Sequence, residues 1–119
     1  MQKILIIEDD ETFISFIEEL SSDYLEYVQV TIVNPKNISF EFILSYMDSN
    51  QYGYILIDHN YSELNYTGKD LVEKSNCTGK IFSISGDKKY TEYCTKYIGK
   101  LGLIEFFENF THELSTCNA

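Results

Sequence analysis

Five residues in this chain have the types and placement to handle a phosphoryl group: Glu8, Asp9, Asp58, Ser85 and Lys100. Glu8 and Asp9 open a run of four acids, Glu8-Asp9-Asp10-Glu11, directly behind the apolar stretch Ile4-Leu5-Ile6-Ile7. Asp58 stands directly behind a second such stretch, Tyr54-Ile55-Leu56-Ile57. Ser85, followed by Gly86, closes a third, and Lys100 follows Tyr97-Ile98-Gly99. Carboxylates this close repel one another and are costly to bury unless something positive sits among them. A helix N-terminus tolerates such acids, and a hard divalent cation such as magnesium requires them. The acid run alone fits either arrangement. With Asp58 beside it, one carboxylate becomes available as a nucleophile towards phosphorus. A lysine and a hydroxyl then have an evident use, taking up charge on transferred phosphoryl oxygens, where catalysis is mostly positioning and electrostatics.

The elements that must position these residues are legible from periodicity. Five short apolar runs have strand character: Ile4–Ile7, Val28–Val33, Tyr54–Ile57, Ile81–Ser85 and Tyr97–Ile98. Helical spacing recurs between them, in Phe13, Phe16, Ile17 and Leu20, and again in Phe40, Ile43, Leu44 and Met47. Leu103, Ile104, Phe106, Phe107, Phe110 and Leu114 make the widest apolar stripe. Gly68–Lys74 reads as a shorter helix with capping chemistry from Thr67 and Asp70. The weakest helical segment is Asp87–Cys94, about two turns at most. Asn34-Pro35, Asn50–Gly53 and Asn76–Gly79 read as turns. This alternation predicts an α/β fold: a doubly wound, five-stranded parallel sheet with helices on both faces. Continuous apolar strands fit burial on both sides, and ligands in such sheets bind beyond the carboxyl ends of the strands.

Bulk composition narrows the function. A chain of 119 residues is expected to form one domain spanning 1–119. Nine basic and nineteen acidic residues give a net charge of -10, which argues against direct nucleic acid binding or an anionic membrane surface. No apolar run approaches a membrane span, and Met1-Gln2-Lys3 lacks a signal-peptide pattern. Cys77, Cys94 and Cys117 share no metal-ligand spacing and read as free thiols, so a cytoplasmic location is expected. His59 and His112 likewise have no metal-like spacing. Taken singly, Asp58 reads as a turn residue, Ser85 as a satisfied turn hydroxyl, Lys100 as a solvated charge and Tyr97 as core. Their conjunction at four strand ends is what points to chemistry.

On Ile4-Leu5-Ile6-Ile7-Glu8-Asp9, Ile55-Leu56-Ile57-Asp58, Ile84-Ser85-Gly86 and Tyr97-Ile98-Gly99-Lys100, the chain resembles the receiver domains of two-component response regulators. The resemblance runs the whole length and implies a flavodoxin-like fold. It implies that Asp58 is the phosphoacceptor, and that Glu8, Asp9, Asp58 and the backbone carbonyl of Asn60 hold Mg2+. By the same resemblance Ser85 is the switch hydroxyl, Lys100 the phosphoryl-binding lysine and Tyr97 the rotating aromatic. The backbone at His59 and Gly86 would contact the phosphoryl group. Asp10 and Glu11 are left as helix-start acids.

The chain departs from the family pattern in three places. Asp58 to Gly68 is 68 − 58 = 10 positions, slightly long, with no proline. Ser85 to Lys100 is 100 − 85 = 15 positions, several too few, which predicts a shortened fourth helix and an altered output surface. Lys100 is followed by Leu101 rather than proline, so a trans peptide is expected there. Asn60 and Asp87, each two residues beyond a site residue, are expected to orient a hydrolytic water and shorten the phosphoryl lifetime.

The resemblance implies a stand-alone phosphoacceptor that takes its phosphoryl group from a histidine kinase or phosphotransfer protein. It would then switch binding to a downstream protein, with homodimerisation open. It would catalyse its own phosphorylation and dephosphorylation without being a turnover enzyme. The alternative is a pseudo-receiver, an interaction module that signals without phosphorylation. An aspartyl-phosphate phosphatase would need an acid where Asn60 stands, and a flavodoxin-like cofactor domain would need a glycine-rich loop after the first strand.

Overall fold

The computed structural model describes residues 1–117, with side chains as far as Thr111. The expectations for Leu114, His112 and the Cys117 thiol therefore lie outside the described side chains. The chain alternates β1 (Gln2–Ile7), α1 (Glu11–Ser22), β2 (Val28–Val33), α2 (Phe40–Asp48), β3 (Tyr54–Ile57), α3 (Gly68–Lys74) and β4 (Lys80–Ser83). A 3-10 turn at Lys88–Thr91, β5 (Lys96–Tyr97) and α4 (Leu103–Cys117) complete it. All five strands are parallel, in the order β2-β1-β3-β4-β5. The order reverses between β1 and β3, so the switch point lies where Ile7 pairs with Ile57.

β1 shows why its apolar run is continuous. Ile4 and Ile6 face one core, with Leu56, Ile84, Ile17 of α1 and Leu103, Phe106 and Phe107 of α4. Leu5 and Ile7 face the other, with Ile55, Ile57, Ile43 and Met47 of α2, and Leu71 of α3. Successive strand residues point to opposite faces, so a strand covered on both sides must be apolar at every position.

The helices start where capping chemistry sits. Asp10 Oδ1 accepts the Thr12 and Phe13 N–H groups at 3.0 and 3.3 Å, fixing α1. Ser39 Oγ accepts the Phe42 N–H at 3.1 Å at the head of α2. Asp70 reaches back to the Thr67 N–H at 2.8 Å at the head of α3.

Several boundaries differ from the sequence reading. β1 starts at Gln2 rather than Ile4, β4 runs over Lys80–Ser83 rather than Ile81–Ser85, and β5 is displaced by one residue to Lys96–Tyr97. The fourth helical segment is a single 3-10 turn, in keeping with the short span from Ser85 to Lys100. Tyr90 leaves helical geometry at φ -88° and ψ 32°. Its ring instead stacks on His59, with centroids 3.7 Å apart and 5° between planes. Tertiary contact here outweighs a weak local propensity. No cis peptide occurs among the described residues, so the Lys100–Leu101 bond is trans as expected. No helix among them is long and apolar enough to cross a membrane.

Candidate functional site

Glu8, Asp9 and Asp58 meet at the switch point. Each offers a carboxylate oxygen, and these oxygens lie within 4.8 Å of one another. Parallel pairing places them there: Asp58 N–H continues the β1–β3 ladder to Ile7 O at 3.1 Å, and Glu8 N–H continues the β1–β2 ladder to Val33 O at 3.2 Å. All three side chains are buried, Glu8 completely. The cleft above them, about 510 Å³, is lined also by Asp10, Glu11, Lys36, Asn60, Tyr61, Ser62 and Lys100.

Each acid has a different environment. Glu8 Oε1 accepts the Asp10 N–H at 3.2 Å and lies 3.6 Å from Lys100 Nζ, whereas buried Oε2 has no hydrogen-bond partner among the described residues. Burial first, and Asp58 second, push the Glu8 carboxyl up to about 7 against the pull of Lys100. Asp58 is pushed up to about 6, again chiefly by burial, with Lys100 and the His59 N–H opposing. Asp9 Oδ2 accepts the Ser62 N–H at 2.8 Å and sits 3.9 Å from Lys36 Nζ. Two acids thus resist ionisation, one Glu8 oxygen is buried without a partner among the described residues, and the three carboxylates offer an all-oxygen donor set. That chemistry fits a hard divalent cation.

The loop after Asp58 is held by a close approach. Gly68 N–H donates to His59 O at 2.8 Å, and a Cβ on Gly68 would collide with the Asp58 carbonyl oxygen. Only glycine fits there. At the other end of the cleft, Gly99 takes the left-handed turn (φ 69°) between β5 and Lys100. Lys100 Nζ lies 4.6 Å from the Phe13 ring centre as well as beside Glu8.

The residues predicted from sequence divide into two groups. Glu8, Asp9, Asp58, Asn60 and Lys100 line the one cleft. Ser85, Gly86, His59 and Tyr97 are not among its lining residues. Ser85 is buried two residues beyond β4, its N–H donating to Ser83 Oγ and its Oγ accepting the Asp87 N–H at 3.2 Å. The His59 ring is turned away into the aromatic pair Tyr90 and Tyr93, with Nδ1 2.8 Å from the Tyr93 hydroxyl. Tyr97 lines a separate cleft of about 360 Å³ with Phe82, Lys96 and Phe106. The Asp87 carboxylate is exposed, accepts the Lys89 N–H at 3.0 Å and pairs with Lys89 Nζ at 3.6 Å, so that it caps the 3-10 turn.

Lys36, Tyr61 and Ser62 were missed. Lys36 had a signal: it stands just past the carboxyl end of β2, as the other site residues stand past theirs, but Asn34-Pro35 reads locally as a mere turn. Ser62 acts through a backbone N–H, which no side-chain pattern reports.

A five-stranded parallel sheet with an acidic triad at its switch point defines a doubly wound α/β protein with a cation-competent edge. Solved structures narrow the fold to that of receiver domains. The chain is similar to a CheY-like response regulator receiver domain from Methylobacillus flagellatus, at TM-score 0.65 and 22% identity over 92% of this chain and 98% of that one. It is similar to the response regulator TrrA from Thermotoga maritima in complex with Mg2+ and beryllofluoride, at TM-score 0.69 and 16% identity over 94% and 98%. TrrA has also been solved in complex with the histidine kinase ThkA. A third is the receiver domain of a sensor histidine kinase from Pseudomonas aeruginosa PAO1, with magnesium coordinated in its active-site cleft, at TM-score 0.64 and 15% identity over 92% and 96%. No protein-family model and no curated protein matches the chain.

Proposed function

We propose that this protein is a receiver: it accepts a phosphoryl group on Asp58 from a phosphohistidine of a partner kinase or phosphotransfer protein. The observation that carries this reading is the convergence of Glu8, Asp9 and Asp58 within 4.8 Å, with Lys100 at the rim. The Asp58 carboxylate forms the new P–O bond, and the P–N bond breaks with its electron pair returning to the imidazole nitrogen. Glu8, Asp9, Asp58 and the Asn60 carbonyl would hold Mg2+, which supplies charge neutralisation at the phosphoryl oxygens when bound. Lys100, lightly held at 3.6 Å from Glu8, is free to move onto those oxygens.

The transfer is stoichiometric, not a turnover reaction. Asn60 stands where a phosphatase would need an acid to protonate a leaving group. Signalling follows from a change in which protein partner is bound, and the net charge of -10 favours a protein over nucleic acid. The segment that carries the change is the 3-10 turn with the residues just after it, whose Tyr90 and Tyr93 grip His59, the residue next to Asp58.

Intact mass after incubation with Mg2+ and a small phosphodonor tests the reading. One added phosphoryl group, absent from Asp58→Asn, supports it. An unmodified protein at saturating Mg2+ and donor overturns it in favour of the pseudo-receiver, an interaction module that signals without phosphorylation.

A further inference from the structure

We propose that Lys36 is a second basic residue of the phosphoryl cleft, one that weakens the site's hold on a bare divalent cation and strengthens its hold on the phosphoryl group. The inference rests on the receiver reading of the cleft. Four observations carry it.

Lys36 is placed, not merely near. β2 ends at Val33, and the next two residues, Asn34 and Pro35, are buried. Asn34 Oδ1 accepts the Lys36 N–H at 2.9 Å, and Asn34 O accepts the Asn37 N–H at 2.9 Å, closing a turn. The same Asn34 donates from Nδ2 to Glu11 Oε1 at 3.1 Å, pinning that turn to the head of α1. The backbone of Lys36 is therefore fixed beside the acidic run.

Its ammonium group lies 3.9 Å from Asp9 Oδ2, on a side chain that is 38% exposed. That oxygen already accepts the Ser62 N–H, so Lys36 is a loosely held third party, able to swing on its flexible stem.

The two lysines divide the triad between them. Lys100 sits on Glu8, Lys36 on Asp9, and both line the cleft that contains Asp58.

The charge balance gives Lys36 opposite effects on the two ligands. Counting the triad and its two lysines alone, with the three acids ionised as metal binding requires, one net negative charge is left. A divalent cation makes that one net positive, and a phosphoryl group on Asp58, bringing the residue to about -2, takes the loaded site to about zero. Without Lys36 the bare site carries a further negative charge and attracts the cation more strongly. The metal-loaded site is then neutral when the phosphoryl group arrives, and holds it less well.

Titration of Mg2+ alone, and of beryllofluoride at saturating Mg2+, is the test, on wild type, Lys36→Gln, Lys36→Arg and Lys3→Gln. Lys3 lies at the opposite end of β1, about 16 Å from Glu8 at ~3.3 Å per residue, and controls for net charge. Lys36→Gln is expected to bind Mg2+ about fivefold tighter and beryllofluoride about fivefold more weakly. Lys36→Arg is expected to keep both near wild type, and Lys3→Gln to move neither by more than about twofold. Two constants that move together in Lys36→Gln, or that stay put while wild type binds both probes, overturn the role of Lys36. A wild-type protein that binds neither probe overturns the receiver reading and this inference with it.

Discussion

Asp58→Asn should stabilise the metal-free protein, and by an amount that grows with pH. The carboxyl of Asp58 is buried at the floor of the cleft and has its ionisation moved from 3.8 up to about 6. Each tenfold change in a proton equilibrium is worth about 1.4 kcal/mol, so the charged form costs the fold about 3 kcal/mol. Because the folded value is raised, the sign is fixed. Below about pH 4 the group is protonated whether folded or unfolded and costs nothing. The cost accumulates as pH rises towards 6 and is complete above it. Asparagine keeps an acceptor for the His59 N–H and carries no charge, so it escapes the cost. Urea unfolding in EDTA should give a gain of about 1.5 kcal/mol at about pH 5 and about 3 kcal/mol at about pH 7.5. In melting temperature the larger gain is about 8–12 °C for a chain this size. Saturating Mg2+ should narrow the gap, since it stabilises the wild-type triad by binding the folded state alone. An Asp58→Asn variant no more stable than wild type at about pH 7.5, or a gain that does not change with pH, would refute the electrostatic account of the cleft.

Mg2+ affinity itself should rise steeply from about pH 6 to 8, with protons released on binding, because Glu8 and Asp58 hold theirs up to about 7 and about 6. Calorimetry in buffers of different ionisation enthalpy reads that release, and its absence would mean that the acids are already charged. Gly68→Ala should cost about 2 kcal/mol or more and slow phosphorylation, since its Cβ would collide with the Asp58 carbonyl oxygen. Parallel thermal melts and phosphodonor assays check both effects. Tyr93→Phe removes the hydroxyl held 2.8 Å from His59 Nδ1, at a cost of about 1 kcal/mol. Amide exchange should quicken selectively in residues 87–94; uniform exchange would show that the Tyr90 stack holds the turn by itself.

Much of the fold could be read locally, and the reasons are visible in particular residues. Ile4–Ile7 announces a strand buried on both faces because every position is apolar. Asp10 marks one helix start because its side chain satisfies N–H groups two and three residues on, and Asp70 marks another by reaching back to the Thr67 N–H. The Lys88–Thr91 turn was only half legible. The shortage of residues between Ser85 and Lys100 was plain, but the preference of Tyr90 for the His59 ring is a contact across 31 positions (90 − 59) that no window of sequence contains.

The site divides the same way. Sequence by itself determined which acids follow which strands, and so that Glu8, Asp9 and Asp58 share one edge with Lys100. Chain order and strand direction are enough for that, because parallel strands deliver all their carboxyl ends to the same side. Only the tertiary structure decided that Lys36 joins them, that Ser85 and Tyr97 lie outside the cleft lining, and that Glu8 and Asp58 resist ionisation. Desolvation and Coulomb coupling depend on distances between groups far apart in the chain, and those distances exist only once the sheet has closed.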